Sequence, residues 1–226
     1  MSTRMFSSFR SPWVWGRRAA QLRREFHGDA LIGLVRPDAG VESVVVRPCL
    51  GRDHYRVEAV RRENQEWLRP WEATLPPESG ELLPTWPQYT RRLDRQMKAS
   101  QGLTMLIEVN GGVAGQVSVG AVEHGAMSQG ILGYWIAQRW GGLGITSLAV
   151  ATVMDMVLKD LGLHRLEVNV KPDNERSLRL CRNLGLREEG YKKRYMSIAS
   201  KWADHVSFAI DQEDVRVRSV LERIRR

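Results

Sequence analysis

The chain has 226 residues, of which 42% are hydrophobic and 27% are charged. This is the composition of an ordinary globular protein, and it excludes collagen, a coiled coil and a largely disordered chain. The formal net charge is +8, which indicates nucleic acid, anionic lipid or an acidic ligand as a partner without choosing among them.

The first thirty residues carry half of this net charge. They hold six arginines against Glu25 and Asp29, a balance of +4. Arginines flank the short apolar cluster Trp13-Val14-Trp15 on both sides, so it is not the hydrophobic region of a signal peptide. We therefore predict that residues 1–40 form a basic N-terminal extension, and that the folded domain covers residues 41–210.

The following segment is predicted to contain one strand, two helices and a long loop. Val41–Arg47 is a short apolar strand ended by Pro48, and apolar residues at helical intervals predict a helix over 51–66. Five of the nine prolines lie within 69–87, which predicts a loop that is long enough to be functional. One face of a second helix then carries Trp86, Tyr89, Leu93 and Met97.

Residues 101–150 hold three charged residues but eleven of the twenty glycines. This combination predicts buried strands joined by tight turns, and we place the centre of the sheet here. The predicted strands are Thr104–Val109, Val113–Val122 and Gly130–Ala137, with Asn110-Gly111-Gly112 as the hairpin turn between the first two.

Helices and strands alternate in the remainder of the chain. A helix from about Gly142 to Asp160 precedes a strand over Arg165–Lys171, and a further helix begins near Asn174 and ends at Gly185. Strands near Leu186–Ile198 and His205–Ile210 follow, and a charged helix covers residues 211–226. The pattern predicts a mixed α/β domain.

The cysteines and histidines indicate neither a disulfide framework nor a metal site. Cys49 and Cys181 are far apart and form no C-x-x-C pair, and the five histidines show no H-x-x-H spacing. No stretch approaches eighteen consecutive apolar residues, so we expect no membrane span. A reducing cytoplasm is the expected location.

The sharpest local signal is the junction from Tyr134 to Ile145, where a buried strand turns through glycines into a long helix. The glycines allow a ligand to approach the backbone closely. The N–H groups of Leu143, Gly144 and Ile145 would face outward at the positive end of the helix dipole. We therefore predict a phosphate-binding turn that uses no side-chain cation.

Two well-known phosphate-binding motifs fit this junction poorly. A P-loop requires Gly-Lys-Ser/Thr, whereas Ile145-Thr146 follows Gly144, so ATP or GTP chemistry is disfavoured. A dinucleotide-binding fold requires a third glycine and an acidic residue at the end of the next strand, where this chain has Ser147 and Lys171. Nicotinamide cofactors are disfavoured as well.

The sequence Arg139-x-x-Gly142-x-Gly144 resembles the R/Q-x-x-G-x-G signature of the GCN5-related N-acetyltransferases (GNAT), a pyrophosphate cradle for acetyl-coenzyme A. Asn174-Glu175-Arg176-Ser177, followed by Gly185-Leu186-Arg187-Glu188-Glu189-Gly190, resembles the family's N-x-x-S and G-F/L-x-x-E-G. The branch that acetylates ribosomal-protein N-termini, the RimJ/RimL type, is similar in three segments: residues 63–72, Gly133-Tyr134-Trp135 and Trp202-Ala203-Asp204-His205. The resemblance covers about residues 41–210.

This resemblance implies an α/β fold of the GNAT type, with a mixed, mostly antiparallel central sheet, splayed parallel strands and flanking helices. It also implies acetyl-coenzyme A as the cosubstrate, without a metal. Trp135 and Ile136 would supply the oxyanion N–H, Asn174 would bind the pantetheine arm, and Ser177 would protonate the departing thiolate. The implied cofactor-binding residues are Trp135, Ile136, Arg139, Gly142, Leu143, Gly144, Ile145 and Asn174.

The sequence departs from relatives at two acid–base positions. Cys181 stands where many relatives outside this branch place a tyrosine acid, and Met196 stands where some members of the branch carry a glutamate base. Deprotonating an α-amine costs about 1 kcal/mol at neutral pH, whereas a lysine costs roughly 4 kcal/mol. Without a visible base, an N-terminal amine is the better acceptor.

The same residues could instead have purely structural roles. Ser177 could be a small polar residue at a helix start, Asn174 an N-cap that also binds the cofactor, and Cys181 a buried hydrophobe. Trp67 and its neighbours could belong to the core or grip a peptide. The candidate substrate-side residues, as binding groups or water-mediated acceptors, are Trp71, Glu108, Glu123 and His124.

The resemblance implies an acetyltransferase that acts on the N-terminal α-amine of a protein, with a ribosomal protein as the expected substrate. It allows transient association with the ribosome, no membrane, and a monomer or homodimer. The enzymatic alternative is acetylation of a small amine such as an aminoglycoside or polyamine. The non-enzymatic alternative is a basic module that binds nucleic acid or the ribosome through the arginine-rich segment.

Overall fold

The structure, a computed structural model, describes residues 15–51, 53–82 and 84–225. The strands are β1 (Arg24–His27), β2 (Ser43–Pro48), β3 (Leu103–Val109), β4 (Gly112–Glu123), β5 (Gln129–Ile136), β6 (Arg165–Val170), β7 (Arg187–Ile198) and β8 (Lys201–Asp211). They form one eight-stranded sheet in the order β1-β2-β3-β4-β5-β6-β8-β7.

Neighbouring strands in this sheet run antiparallel, with the exception of β5 and β6, which run parallel. The connection between those two strands is long and contains a helix, as a parallel pair requires. The prediction of a mixed, mostly antiparallel sheet with flanking helices is therefore confirmed.

The helices are α1 (Gly16–Gln21), α2 (Asp53–Glu63), α3 (Gln65–Leu68), α4 (Trp86–Lys98), α5 (Ile145–Asp155), α6 (Glu175–Asn183), α7 (Gln212–Val217) and α8 (Val220–Ile224). Helix α5 continues as a π-helical turn over Met156–Asp160. The single helix predicted over 51–66 is thus divided into α2 and α3, and the predicted C-terminal helix is divided into α7 and α8.

The centre of the sheet lies where the glycine-rich, charge-poor segment predicted it. Every residue of β3 is buried, and the hairpin to β4 turns at Asn110 and Gly111, both with positive φ. Helix α5 covers this region. Eight of its eleven residues are buried. A helix buried on most of its surface is expected to carry apolar residues on nearly all sides, as this one does.

The described part of the N-terminal segment packs onto the same core. Trp15 is 1% exposed, and its backbone N–H donates to Ser100 Oγ at 2.7 Å. Strand β1 adds to the sheet beside β2, and Phe26 belongs to the main core cluster. Residues 15–40 of the expected extension are therefore integrated into the fold, and residues 1–14 lie outside the described residues.

The proline-rich segment that follows α3 is held against β7. Ala73 forms a bridge with Ile198, and Thr74 N–H donates to Ser197 O at 2.9 Å. Two short 3-10 turns, Arg69–Trp71 and Pro77–Ser79, interrupt it. This places Trp71 beside the sheet. Across the described parts of the chain, no helix is long and apolar enough to cross a membrane.

Candidate active site

Strands β5 and β6 diverge after a short parallel contact. They pair only over Gln129–Ile131 and Arg165–Glu167, although β5 continues to Ile136. A cavity of about 1130 Å³ opens beyond this point. It is lined by the end of β5, the glycine turn, the start of α6 and residues 33–37. The splayed parallel strands that the resemblance implied are thus present, and the end of β5 forms one wall of this cavity.

The glycine turn is built by two left-handed backbone positions. Gly142 has φ +77° and Gly144 has φ +90°, values that L side chains rarely adopt. Residues 15–40 also constrain this turn, because Arg36 N–H donates to Leu143 O at 3.0 Å. Helix α5 begins at Ile145, so its first N–H groups and the positive end of its dipole lie at the cavity.

The register of β5 determines which backbone donors face this opening. Ala137 N–H donates to Ala114 O on the β4 side at 2.7 Å. Because N–H directions alternate along a strand, the N–H of Ile136 points toward β6, whereas that of Trp135 points toward β4. Of the two predicted oxyanion donors, Ile136 therefore has the N–H on the open side. Trp135 lines the cavity.

Trp67 secures the end of β5. Its indole Nε1–H donates to Ile136 O at 3.0 Å, on the open side of the strand. The Arg176 guanidinium lies 4.5 Å from the Trp67 ring, a cation–π distance. Asn64 Oδ1 accepts the N–H of Gln138 at 2.8 Å. Sequence reasoning missed the Asn64 and Arg176 contacts, and no local motif signals contacts between segments so far apart.

Asn174 and Ser177 lie at the start of α6 and both line the cavity. Asn174 Oδ1 accepts the backbone N–H of Ser177 at 3.2 Å, so this asparagine is the N-cap that its position suggested. Its amide nitrogen can still donate to a ligand. Cys181 lies one turn further on and is fully buried, and burial raises the pKa of its thiol to about 12, which does not favour a nucleophile.

The Tyr134 hydroxyl is a buried polar group at the same place. Burial raises its pKa well above the ordinary range, and Ser177 and Cys181 lie beside it. Yet its oxygen has no well-formed hydrogen bond with any of the described residues. A buried hydroxyl with only loose contacts to Ser177 and Cys181 can gain a better hydrogen bond from a polar ligand in the cavity. The amide-rich pantetheine arm of coenzyme A is such a ligand.

A second cavity of about 370 Å³ adjoins the first. Both are lined by Leu68, Trp71, Tyr134, Trp135, Asn174 and Ser177. The second cavity extends toward the segment after α3, the end of β6, and β7 and β8. A ligand held along β5 would therefore present its reactive end to a second compound beside Ser177.

Four other residues predicted for the site are placed elsewhere. Arg139 is exposed, with its guanidinium 5.2 Å from the Trp140 ring. Glu123 pairs with Gln129 near the end of β4, and His124 Nε2 lies 2.8 Å from Ser100 O. Neither cavity is lined by Arg139, Glu108, Glu123 or His124. Ile145 is fully buried at the start of α5. Its side chain belongs to the core, so a contact with the cofactor would come from its backbone N–H.

Glu108, on β3, belongs to a charge network with Arg47 on β2 and Arg56 on α2. It accepts hydrogen bonds from Arg47 and Arg56 at 2.8 to 3.0 Å. Burial raises the pKa of this carboxyl, but the two arginines lower it by more than burial raises it. The pKa is therefore below its usual value. Glu108 is an ionised, fully paired structural group. Among the described residues, no cluster of His, Cys, Asp or Glu could hold a metal.

Comparison with known proteins decides the family. The acetyltransferase (GNAT) domain matches residues 44–187, which is more than half of the chain. The chain belongs to the GNAT acetyltransferase family. The family that the Arg139-x-x-Gly142-x-Gly144 signature predicted is thus confirmed, and with it the class of enzyme.

Within the GNAT family, the chain is similar to ribosomal-protein acetyltransferases. It is 29% identical over 178 residues to ribosomal protein uS5-alanine N-acetyltransferase of Escherichia coli K12, an alignment that covers 76% of this chain and 90% of that enzyme. RimJ of Mycobacterium smegmatis, in complex with CoA-disulfide, has a TM-score of 0.74 at 32% identity, covering 84% of this chain and 90% of that one.

A third relative supports the same branch. Ribosomal-protein-S5-alanine acetyltransferase from Vibrio fischeri has a TM-score of 0.68 at 25% identity, with coverage of 76% of this chain and 94% of that chain. The predicted resemblance to the RimJ/RimL type is therefore confirmed.

Proposed function

We propose that this GNAT enzyme transfers the acetyl group of acetyl-coenzyme A to the N-terminal α-amine of a protein, and that its substrate is a ribosomal protein. The observation that carries this proposal is the junction of the two cavities at Asn174 and Ser177. One cavity has the donors for a phosphorylated cofactor, and the other leads from the reactive end of that cofactor to the surface of the proline-rich segment.

The proposal gives each part of the first cavity a role in holding the cofactor. The N–H groups at the start of α5 would bind the pyrophosphate, helped by the helix dipole. The Asn174 amide and the Tyr134 hydroxyl would bind the pantetheine arm. The Ile136 N–H would then stabilise the oxyanion that forms when an amine attacks the thioester.

Ser177 is the proposed proton donor to the leaving thiolate. It lines both cavities, whereas Cys181, one turn further along α6, is fully buried and lines neither of them. In the reaction, the carbon–nitrogen bond forms, the carbon–sulfur bond breaks, and the sulfur takes a proton through the Ser177 hydroxyl. Ser177→Ala should lower kcat by about 10²-fold with little change in the KM for acetyl-coenzyme A.

The charge of the second cavity favours a protein N-terminus over a polyamine or aminoglycoside. Of the described residues that line it, Glu72 is the one carboxylate, and it is ion-paired with Arg61. Polycationic amines would meet Arg61 and Lys171 without free carboxylates to bind them. The relatives support the protein substrate, because the E. coli and V. fischeri enzymes are named for ribosomal protein S5.

The proposal is tested with acetyl-coenzyme A and proteins released from dissociated ribosomes, analysed by mass spectrometry. We expect an acetyl group on the N-terminus of one or a few ribosomal proteins. A matched pair of synthetic peptides, one with a free N-terminus and one blocked but containing lysine, should show modification of the free N-terminus alone. Modification of small amines with no modified protein would contradict the proposal.

A further inference from the structure

The second cavity contains a buried hydrogen-bond acceptor without a partner. Asn169, on β6, lines this cavity. Its Nδ2 donates to Glu167 Oε1 at 2.8 Å, which fixes the amide orientation. Its Oδ1 is buried and accepts no hydrogen bond from the described residues. A buried carbonyl oxygen of this kind is satisfied by a ligand that carries N–H groups.

His205, on β8, lines the same cavity and presents a second acceptor. His205 is 3% exposed, and its Nδ1 lies 3.1 Å from Ala203 O. A carbonyl oxygen only accepts hydrogen bonds, so Nδ1 carries the proton and Nε2 keeps its lone pair. The Tyr195 ring packs edge-on at 5.6 Å between centroids, which helps to hold the imidazole in this orientation.

Burial, together with two nearby lysines, keeps His205 neutral near pH 7. Burial lowers its pKa below the ordinary value, and Lys171 from the end of β6 and Lys192 from β7 lower it further. Two groups act in the opposite direction: the Ala203 carbonyl and Asp204 on its own strand. Asp204 is already engaged, because it accepts from Tyr191 Oη and from Arg194 N–H.

The other titratable groups in this cavity are poorly suited to accept a proton. Glu72 is paired with Arg61, Lys171 donates to Asp173, and Tyr134 has a raised pKa. Met196, which stands at the position of a glutamate base in some relatives, lines the cavity but cannot take a proton. Among the described lining residues, His205 is the group with a free basic lone pair.

We propose that His205 Nε2 accepts the proton that the acceptor α-amine loses, while Asn169 Oδ1 accepts a second N–H of that amine. This inference rests on the proposed function. One ammonium proton passes to Nε2 and then to solvent, and the amine attacks the thioester carbon. As the tetrahedral intermediate collapses and the carbon–sulfur bond breaks, the second proton leaves the nitrogen and reaches the sulfur through the Ser177 hydroxyl, which gives up one proton and takes up the other. The products are an amide and a free thiol.

The test measures kcat, KM and the pH profile of the full-length protein and of His205→Asn, with peptides that match ribosomal-protein N-termini. The asparagine amide can still donate to Ala203 O. Because imidazolium cannot accept a proton, wild-type kcat should fall as the pH drops through the lowered pKa of His205. The variant should lose about 10²-fold in kcat at pH 7 and lack this acid limb, and its remaining pH dependence should be that of the α-amine, whose pKa is about 7.7 to 8.0, with an unchanged KM for acetyl-coenzyme A.

The matched control is His27→Asn, which alters an exposed histidine on β1 and should keep the wild-type profile. A second variant, Asn169→Ala, should raise the KM for the peptide about tenfold and retain the acid limb, which keeps the proposal testable if His205→Asn does not fold. The role of His205 is overturned if His205→Asn keeps its kcat within twofold, or keeps the acid limb.

Failure of the proposed function gives a different result. If the wild-type enzyme acetylates no N-terminal peptide, both the proposed function and the role of His205 and Asn169 toward an α-amine are overturned. If the wild-type enzyme is active and the variants behave as wild type, only the inference about these two residues is overturned.

Discussion

The backbone carbonyl of Leu34 lies 2.2 Å from the position that a Cβ atom on Gly144 would occupy. A glycine at this position therefore serves two purposes. It permits the left-handed backbone that starts α5, and it lets residues 33–37 close one side of the cofactor cavity. The N-terminal segment and the glycine turn form a single unit, joined by the bond from Arg36 N–H to Leu143 O.

Replacing Gly144 by alanine should destabilise the protein more than the backbone conformation alone explains. Gly125 is the matched control: its φ is +73°, and a Cβ there meets no atom within 4 Å. We expect Gly125→Ala to cost about 1 kcal/mol and Gly144→Ala about 2 to 4 kcal/mol, because the latter adds overpacking. Urea unfolding measures both, and equal losses would contradict the contact with Leu34.

The observed capping role of Asn174 and its proposed role in cofactor binding can be separated by one substitution. Asn174→Asp keeps an oxygen that caps α6, so the midpoint of thermal unfolding should stay close to the wild-type value. The carboxylate has no N–H to donate, and we expect the KM for acetyl-coenzyme A to rise about tenfold. Asn174→Ala should lose both functions, with an added cost of about 1 kcal/mol in stability. An unchanged KM in Asn174→Asp would remove the amide from cofactor binding.

The sheet centre and the glycine turn were predictable because their signals are local. Alternation in β4, the Asn110-Gly111 turn and the strand–glycine–helix junction are each contained within a few residues. The N-terminal segment was not predictable in this way. Its buried residues, Trp15 and Phe26 among them, are interspersed with arginines that point to solvent, so the composition of this segment resembles a basic tail.

The candidate site was predictable only as far as the family motifs reach. The glycine turn, Asn174 and Ser177, to which the family motifs point, line the cavity, and the roles that we give them there are proposals. The sequence puts Glu108 near the predicted substrate edge of the sheet and gives no sign of its two cationic partners, because Arg47 lies 61 positions away and Arg56 lies 52 away. Long-range ion pairs of this kind leave no periodic pattern in a sequence.

Removing the indole N–H of Trp67 should lower kcat, because this N–H holds the backbone of Ile136 at the end of β5. In Trp67→Phe, the carbonyl of Ile136 loses its donor at 3.0 Å, and the N–H of the same residue becomes less well positioned for the oxyanion. We expect kcat to fall about tenfold, with a loss of about 1 kcal/mol in stability. Trp202→Phe is the matched control, since Trp202 is half exposed. Equal kcat values for the two variants would argue against this positioning role.

The ion pair between Arg47 and Asp53 should make stability depend on pH in the acidic range. Asp53 accepts from Arg47 Nη1 at 2.6 Å and from Nη2 at 2.9 Å. These bonds lower the pKa of Asp53 from 3.8 to about 2. The unfolded state therefore binds the proton more readily than the folded state, so the stabilisation is complete above about pH 4 and is lost as the pH falls toward 2.

This stabilisation corresponds to about 2 kcal/mol, because one pKa unit is about 1.4 kcal/mol. The Asp53 side chain is only 9% exposed, so solvent screens the pair little. The measurement is the difference in unfolding free energy between wild type and Asp53→Asn, from urea titrations between pH 6 and pH 3. The difference should shrink as the pH falls. Asp38→Asn, at an exposed pair with Arg36, should change stability little at any pH, since solvent screens that pair. A wild-type advantage over Asp53→Asn that stays constant down to pH 3 would contradict the lowered pKa.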